Sequence, residues 1–146
     1  ASGHLALADD SGLEVDALGG QPGVLSARFG GPQATDAERN ARLLELLRGI
    51  PPDRRTARFR CVVAVADPRG AVQLAEGVCE GRIAFESRGL RGFGYDPVFE
   101  VPSLGKTFAE LDPEVKNRLS HRGQAMAKAR AILEGILVTR GHPDQQ

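Results

Sequence analysis

Asp9 and Asp10 stand side by side, followed at once by Ser11 and Gly12, inside a stretch that is otherwise apolar. Neighbouring residues on a strand point to opposite faces, so the two carboxylates serve one site only where the backbone bends. A hard cation such as Mg²⁺ takes one or two carboxylates and fills its remaining positions with water and substrate phosphates. The same four residues also suit an Asx turn that ends a strand, and at this point both readings stand.

A second cluster, Arg91-Gly92-Phe93-Gly94-Tyr95-Asp96-Pro97, sets Phe93 and the chain's only tyrosine among glycines. Glycine lets a backbone come close to a flat ligand while the ring offers a stacking face. A tight loop with Phe93 plugging a core and Asp96 capping the turn uses the same residues. The third cluster is Lys116-Asn117-Arg118-Leu119-Ser120-His121-Arg122. At a helix start the free amides and the positive end of the dipole favour anionic or carbonyl acceptors, and Lys116, His121 and Arg122 add donors. A capped helix with a solvated basic face is the alternative.

The elements that must carry these clusters follow from periodicity and punctuation. Residues 5–8 and 13–18 read as two extended pieces, with a bend or bulge expected at the polar cluster between them. Five glycines and two prolines make residues 19–32 a long loop. Thr35 and Glu38 form a capping box ahead of a predicted amphipathic helix over 37–48, stopped by Gly49 and the Pro51-Pro52 pair. Phe59, Cys61, Val63 and Val65 alternate with their neighbours at the period of a strand. Asp67 to Gly70 is a turn signal, and 72–79 and 81–86 read as further strands of an antiparallel meander. A short apolar strand is expected at 98–101. Asp112 before Pro113 starts one helix, and Ser120 caps a last one whose inward stripe is read as Met126, Ala129, Leu133, Ile136 and Leu137. The tail from Gly141 onward is expected to fray.

Composition narrows the class. The chain has 146 residues, 41% of them hydrophobic and 26% charged, the balance of a single globular domain. Basic and acidic residues number 19 each, which removes the long-range attraction a dedicated nucleic-acid binder uses. A small ligand is therefore expected rather than a polymer. The Arg54, Arg55, Arg58 and Arg60 group reads as a charged outer strand face, with only Phe59 interleaved. No apolar run reaches the roughly 20 residues of a membrane helix, and no secretory signal opens the chain, so a cytoplasmic setting is expected. Cys61 and Cys79 read as reduced, buried thiols. His4 and His142 have no partner at ligand spacing. No Walker phosphate loop, GxSxG or HExxH pattern occurs.

Taken together, ALADDSGLEVDALGG at positions 6–20, PGVLSARF at 22–29, GFGYDPVF at 92–99 and LSHRGQA at 119–125 resemble the inosine triphosphate pyrophosphatase family. That resemblance implies an α/β fold, a long twisted mixed sheet flanked by helices, with two lobes and a nucleotide cleft between them. It implies Mg²⁺-dependent hydrolysis of a small-molecule purine nucleoside triphosphate (ITP, dITP or XTP) to the monophosphate and pyrophosphate. No nucleic acid or membrane is then needed, and a homodimer is the implied assembly. Asp10 is implied as proton acceptor for water and as Mg²⁺ ligand, with Ser11 contacting substrate. Phe93, Gly94, Tyr95 and Asp96 are implied as the base-holding loop, and Lys116, His121 and Arg122 as the remaining substrate contacts. Family members begin with a strand, a phosphate-gripping loop of pattern Ser/Thr-x-Asn-x-x-Lys, a helix and a glutamate that joins the metal. None of these precedes Leu5, so the expectation is a single domain over 1–146 that lacks an N-terminal segment. A catalytically impaired nucleotide-binding fragment of the same fold is the alternative this leaves.

Overall fold

The computed structural model describes residues 6–23, 26 and 29–141, with the backbone alone at Ala6 and 137–141. Strand β1 (Ala6–Val15) pairs antiparallel with β3 (Thr56–Ala66) along its whole length, from Ala6 opposite Ala66 to Val15 opposite Ala57. The bend expected at Asp9 to Gly12 is therefore absent. An uninterrupted ladder from β3 satisfies the backbone there, and that pairing outweighs the turn preference of two aspartates and a serine. A single 3-10 turn, Asp16–Leu18, replaces the extended end expected at 16–18.

Strand β2 (Pro22–Gly23) touches β1 only at Leu13 and Glu14. Strand β4 (Val72–Ile83) is one strand where two were expected. Gly81 lies inside it because the Glu100 carbonyl and the Phe99 ring press where a side chain would project. Strands β5 (Phe99–Val101) and β6 (Lys106–Thr107) complete a sheet of order β2-β1-β3-β4-β5-β6. Every pairing among the described residues is antiparallel.

Helix α1 (Asp36–Leu46) starts at the predicted capping box: the Thr35 hydroxyl accepts from Glu38 N–H at 3.1 Å, and the Glu38 carboxylate accepts from Thr35 N–H at 2.9 Å. Helix α2 (Pro113–Leu119) follows Asp112, whose carboxylate does not cap it but meets Arg91 at 2.7 Å. Helix α3 (His121–Gly141) begins after Ser120, whose Oγ accepts from Gly123 N–H at 2.9 Å. It lies across β3 and β4 through Ala125, Ala129, Ile132, Leu133 and Ile136. Met126, expected in that stripe, is exposed instead. At Gly77 the His121 carbonyl comes so near β4 that no Cβ would fit.

The main core gathers Leu13, Val15, Leu43, Leu47, Phe59, Phe99 and Phe108. Arg55, expected on an outer face, is buried there and donates to the carbonyls of Leu47, Ile50, Ile83 and Ala84. Four acceptors replace the water this cation gives up and tie the end of α1 to the end of β4. Arg58 and Arg60 do stand on the open sheet face, ion-paired with Glu14, Asp16, Glu76 and Glu80. Cys61 and Cys79 are buried and free, and burial pushes the Cys79 thiol up to about 11. No helix among the described residues is long and apolar enough to cross a membrane. Val24, Leu25, Ala27 and Arg28, the Leu137 side chain, both terminal histidines and residues 142–146 of the tail lie outside the described residues.

Candidate active site

A cavity of about 360 Å³ opens where β1, the start of α1, the 93–96 loop and the α2–α3 junction meet. The order of the sheet explains the convergence. β1 lies next to β3, and α3, packed on β4 and β3, brings Arg122 at its first turn to within 3.8 Å of Asp9 on β1.

The loop is shaped by its glycines. Gly92 and Gly94 adopt φ of 76° and 60°, a region side chains avoid, and a Cβ on Gly92 would strike the Asp96 carboxylate. That carboxylate is buried and accepts from Phe93 N–H at 3.0 Å and from Lys116 Nζ at 2.5 Å. Tyr95 is also buried, donating its hydroxyl to the Ser26 carbonyl at 2.6 Å, and burial pushes its pKa up to about 12. It is thus an anchor rather than a ligand face. Phe93 is the reverse: its ring is 61% exposed, with Lys116 Nζ at 4.8 Å and Arg122 Cζ at 5.4 Å from the centroid.

At the helix junction, His121 is buried and stacks on Phe59 with centroids 4.6 Å apart. Burial first, and then the charges of Arg122 and Lys116, pushes its pKa down to about 4, so the imidazole is neutral at pH 7. Its Nδ1 has no hydrogen-bond partner among the described residues, and neither does Ser11 Oγ; both residues line the cavity. Buried polar atoms left unpaired are costly. Arg122 Nε lies 3.8 Å from an Asp9 oxygen.

Ser11, Phe93, Gly94, Tyr95, Asp96, Lys116, His121 and Arg122 all line this cavity. Asp10 does not. With β1 unbent, its side chain leaves the strand on the face opposite Ser11, exposed and without an ion pair or hydrogen bond among the described residues. Asp10 thus stands on the sheet face opposite the side chains of β1 that line the cavity. No group of three or more metal-ligating side chains occurs among the described residues. One exposed, uncommitted carboxylate fits the modest demand of Mg²⁺, which retains several waters and takes the rest from phosphates.

Residues 1–132 match the Ham1 family. A dITP/XTP pyrophosphatase of Desulforamulus reducens is 60% identical over 137 residues, covering 94% of this chain and 68% of the relative. The chain belongs to the Ham1 family. A second relative, the dITP/XTP pyrophosphatase of Exiguobacterium sibiricum, is 55% identical over 92% of this chain and 68% of its own length. Among solved structures, the HAM1 protein of Coxiella burnetii superposes on this Ham1 chain with a TM-score of 0.84 at 50% identity, covering 91% of the chain and 68% of that structure.

Asp36 and Arg39 line the cavity without a sequence signal for it, whereas Ser26, Asn117 and Gly123 stand within PGVLSARF, the third cluster and LSHRGQA but were assigned no role there. Ser120 was legible as a cap, yet it also lines the site.

Proposed function

We propose that this chain hydrolyses deaminated purine nucleoside triphosphates, ITP, dITP and XTP, to the monophosphate and pyrophosphate, and so removes them from the nucleotide pool. The observation that carries this reading is the exposed Phe93 ring beside Lys116 and Arg122 on a cavity that Ser11 and His121 also line. The names of the relatives, dITP/XTP pyrophosphatases, support it.

In this reading the purine stacks on Phe93, and Arg122 donates to its 6-carbonyl. Arginine has donors only, so a 6-keto purine satisfies it whereas the 6-amino group of adenine opposes donor to donor. A site built on such a bond rejects the mismatched partner strongly. The neutral His121 offers one donor and one acceptor nitrogen to the same ligand. Lys116, already pinned by Asp96, adds fixed positive charge near the nucleotide.

The phosphates extend from the cavity to Asp10, the residue before Ser11 on β1. There Asp10 accepts the proton of the attacking water, whose oxygen bonds to the α-phosphorus as pyrophosphate leaves with the bond electrons. Mg²⁺ held by Asp10 and the phosphates would supply charge neutralisation for the leaving group. With Mg²⁺ and ITP, the protein is expected to release equimolar IMP and pyrophosphate, and Asp10→Asn to lower kcat by at least about 100-fold with the fold intact. Binding of IMP without turnover by the wild type would instead establish a nucleotide-binding fragment.

A further inference from the structure

Helix α1 grips the base loop at a single residue. The Asp36 carboxylate accepts from Gly94 N–H at 2.9 Å, and the Asn40 amide donates to the Gly94 carbonyl at 3.0 Å. Both backbone polar groups of one residue are thus held by side chains one helical turn apart, on the same face of α1. Gly94 is the immediate neighbour of Phe93, the ring that projects into solvent without a core to hold it.

The cost of the arrangement points to its use. Asn40 is 4% exposed, and its Oδ1 has no partner among the described residues. A buried amide satisfied at one end is less stable than an apolar residue of similar shape, so its presence on a helix face beside Leu43 is not explained by the core. Phe93 lies between two glycines in the left-handed region, a backbone with little preference of its own for any one direction. From one side it is pinned by Asp96, which accepts its N–H and is tied to Lys116. The Phe93 carbonyl accepts from Asp96 N–H at 3.1 Å, and the α1 bonds hold the residue that follows it, Gly94.

We propose that Asp36 and Asn40 are positioning residues for base recognition, acting through Gly94 to hold the Phe93 ring in its stacking orientation. The proposal rests on the reading of Phe93 as the base platform. It places the effect of both residues on nucleotide affinity, while the reacting phosphates and Asp10 are untouched.

Steady-state hydrolysis of ITP by the natural chain with Mg²⁺ tests it. Asn40→Leu and Asp36→Ala are each expected to raise KM about tenfold, the weight of one lost hydrogen bond, with kcat held within roughly twofold. Asp36→Asn keeps an acceptor oxygen and is expected to restore the wild-type KM. Competitive inhibition by inorganic pyrophosphate, which has no base to stack, is expected to stay unchanged in all three, a result that a general folding defect would not give. In a Phe93→Ala background Asn40→Leu is expected to add nothing, as for two residues acting through one contact. Additive effects, an unaltered KM in both variants beside a raised KM in Phe93→Ala, or equal weakening of pyrophosphate inhibition would each overturn the clamp. An unaltered KM in Phe93→Ala itself would remove the platform reading, and the clamp with it. Asp36 lies on the exposed first turn, so the Asp36 pair decides the matter if Asn40→Leu does not fold.

Discussion

The Lys116 ammonium meets the Asp96 carboxylate at 2.5 Å and lies 4.8 Å from the centroid of the Phe93 ring. One cation therefore neutralises the only charge inside the loop and faces the ring that the loop presents. Asp96 is buried, so removing Lys116 leaves a carboxylate without water or counter-charge. Lys116→Met is expected to cost about 2–3 kcal/mol, below the about 3–5 kcal/mol typical of a broken buried pair because the lysine remains partly open to solvent. Urea unfolding at pH 7 measures this, and unchanged stability would show that the loop is held elsewhere.

His121 makes stability fall on acidification. Its ordinary pKa of 6.5 describes the unfolded chain, and burial pushes it down to about 4 in the fold. Between those values the unfolded state binds more protons, so acid favours unfolding. The loss attributable to this residue between pH 7 and pH 5 is about 2 kcal/mol. His121→Phe, which keeps a ring against Phe59, is expected to flatten that part of the profile when urea midpoints are compared at the two pH values. An equal slope in the variant would assign the acid sensitivity to other groups.

Gly77 sets the height of α3 above the sheet. A Cβ there would collide with the backbone of His121 and Ala125, atoms that cannot move without displacing the helix start. Gly77→Ala is expected to cost at least about 1–3 kcal/mol, as overpacking does, and to raise KM for ITP, since His121 and Arg122 move with the helix. Thermal unfolding and KM measured on the same sample separate this from a change on the surface, which would alter neither.

The sequence was most legible where local rules act alone. The Thr35–Glu38 box, the alternation of β3 and the Ser120 cap all appear as expected, because each is decided within a few residues. It was least legible where a distant partner decides. Nothing local distinguishes Arg55 from its neighbours, the exposed Arg54 and the half-buried Arg58, yet four carbonyls from two other segments draw it inside. The polar run at Asp9 to Ser11 reads as a break in a strand until β3 is laid beside it. The site divides in the same way. Phe93, Lys116, His121 and Arg122 were legible through motif resemblance, and they do share a cavity. Asp36 and Asn40 meet the loop across more than fifty residues of chain, a separation that no local pattern spans.

Because the account turns on a purine held between Phe93 and a donor-only Arg122, the most direct measurement is the ratio of kcat/KM for ITP over ATP, in the wild type and in Arg122→Ala. The wild type is expected to favour ITP by at least about 100-fold. Arg122→Ala is expected to bring the ratio close to one, chiefly by losing ITP turnover. A ratio left unchanged by the substitution would contradict the account, since the 6-position would then be read by some other group.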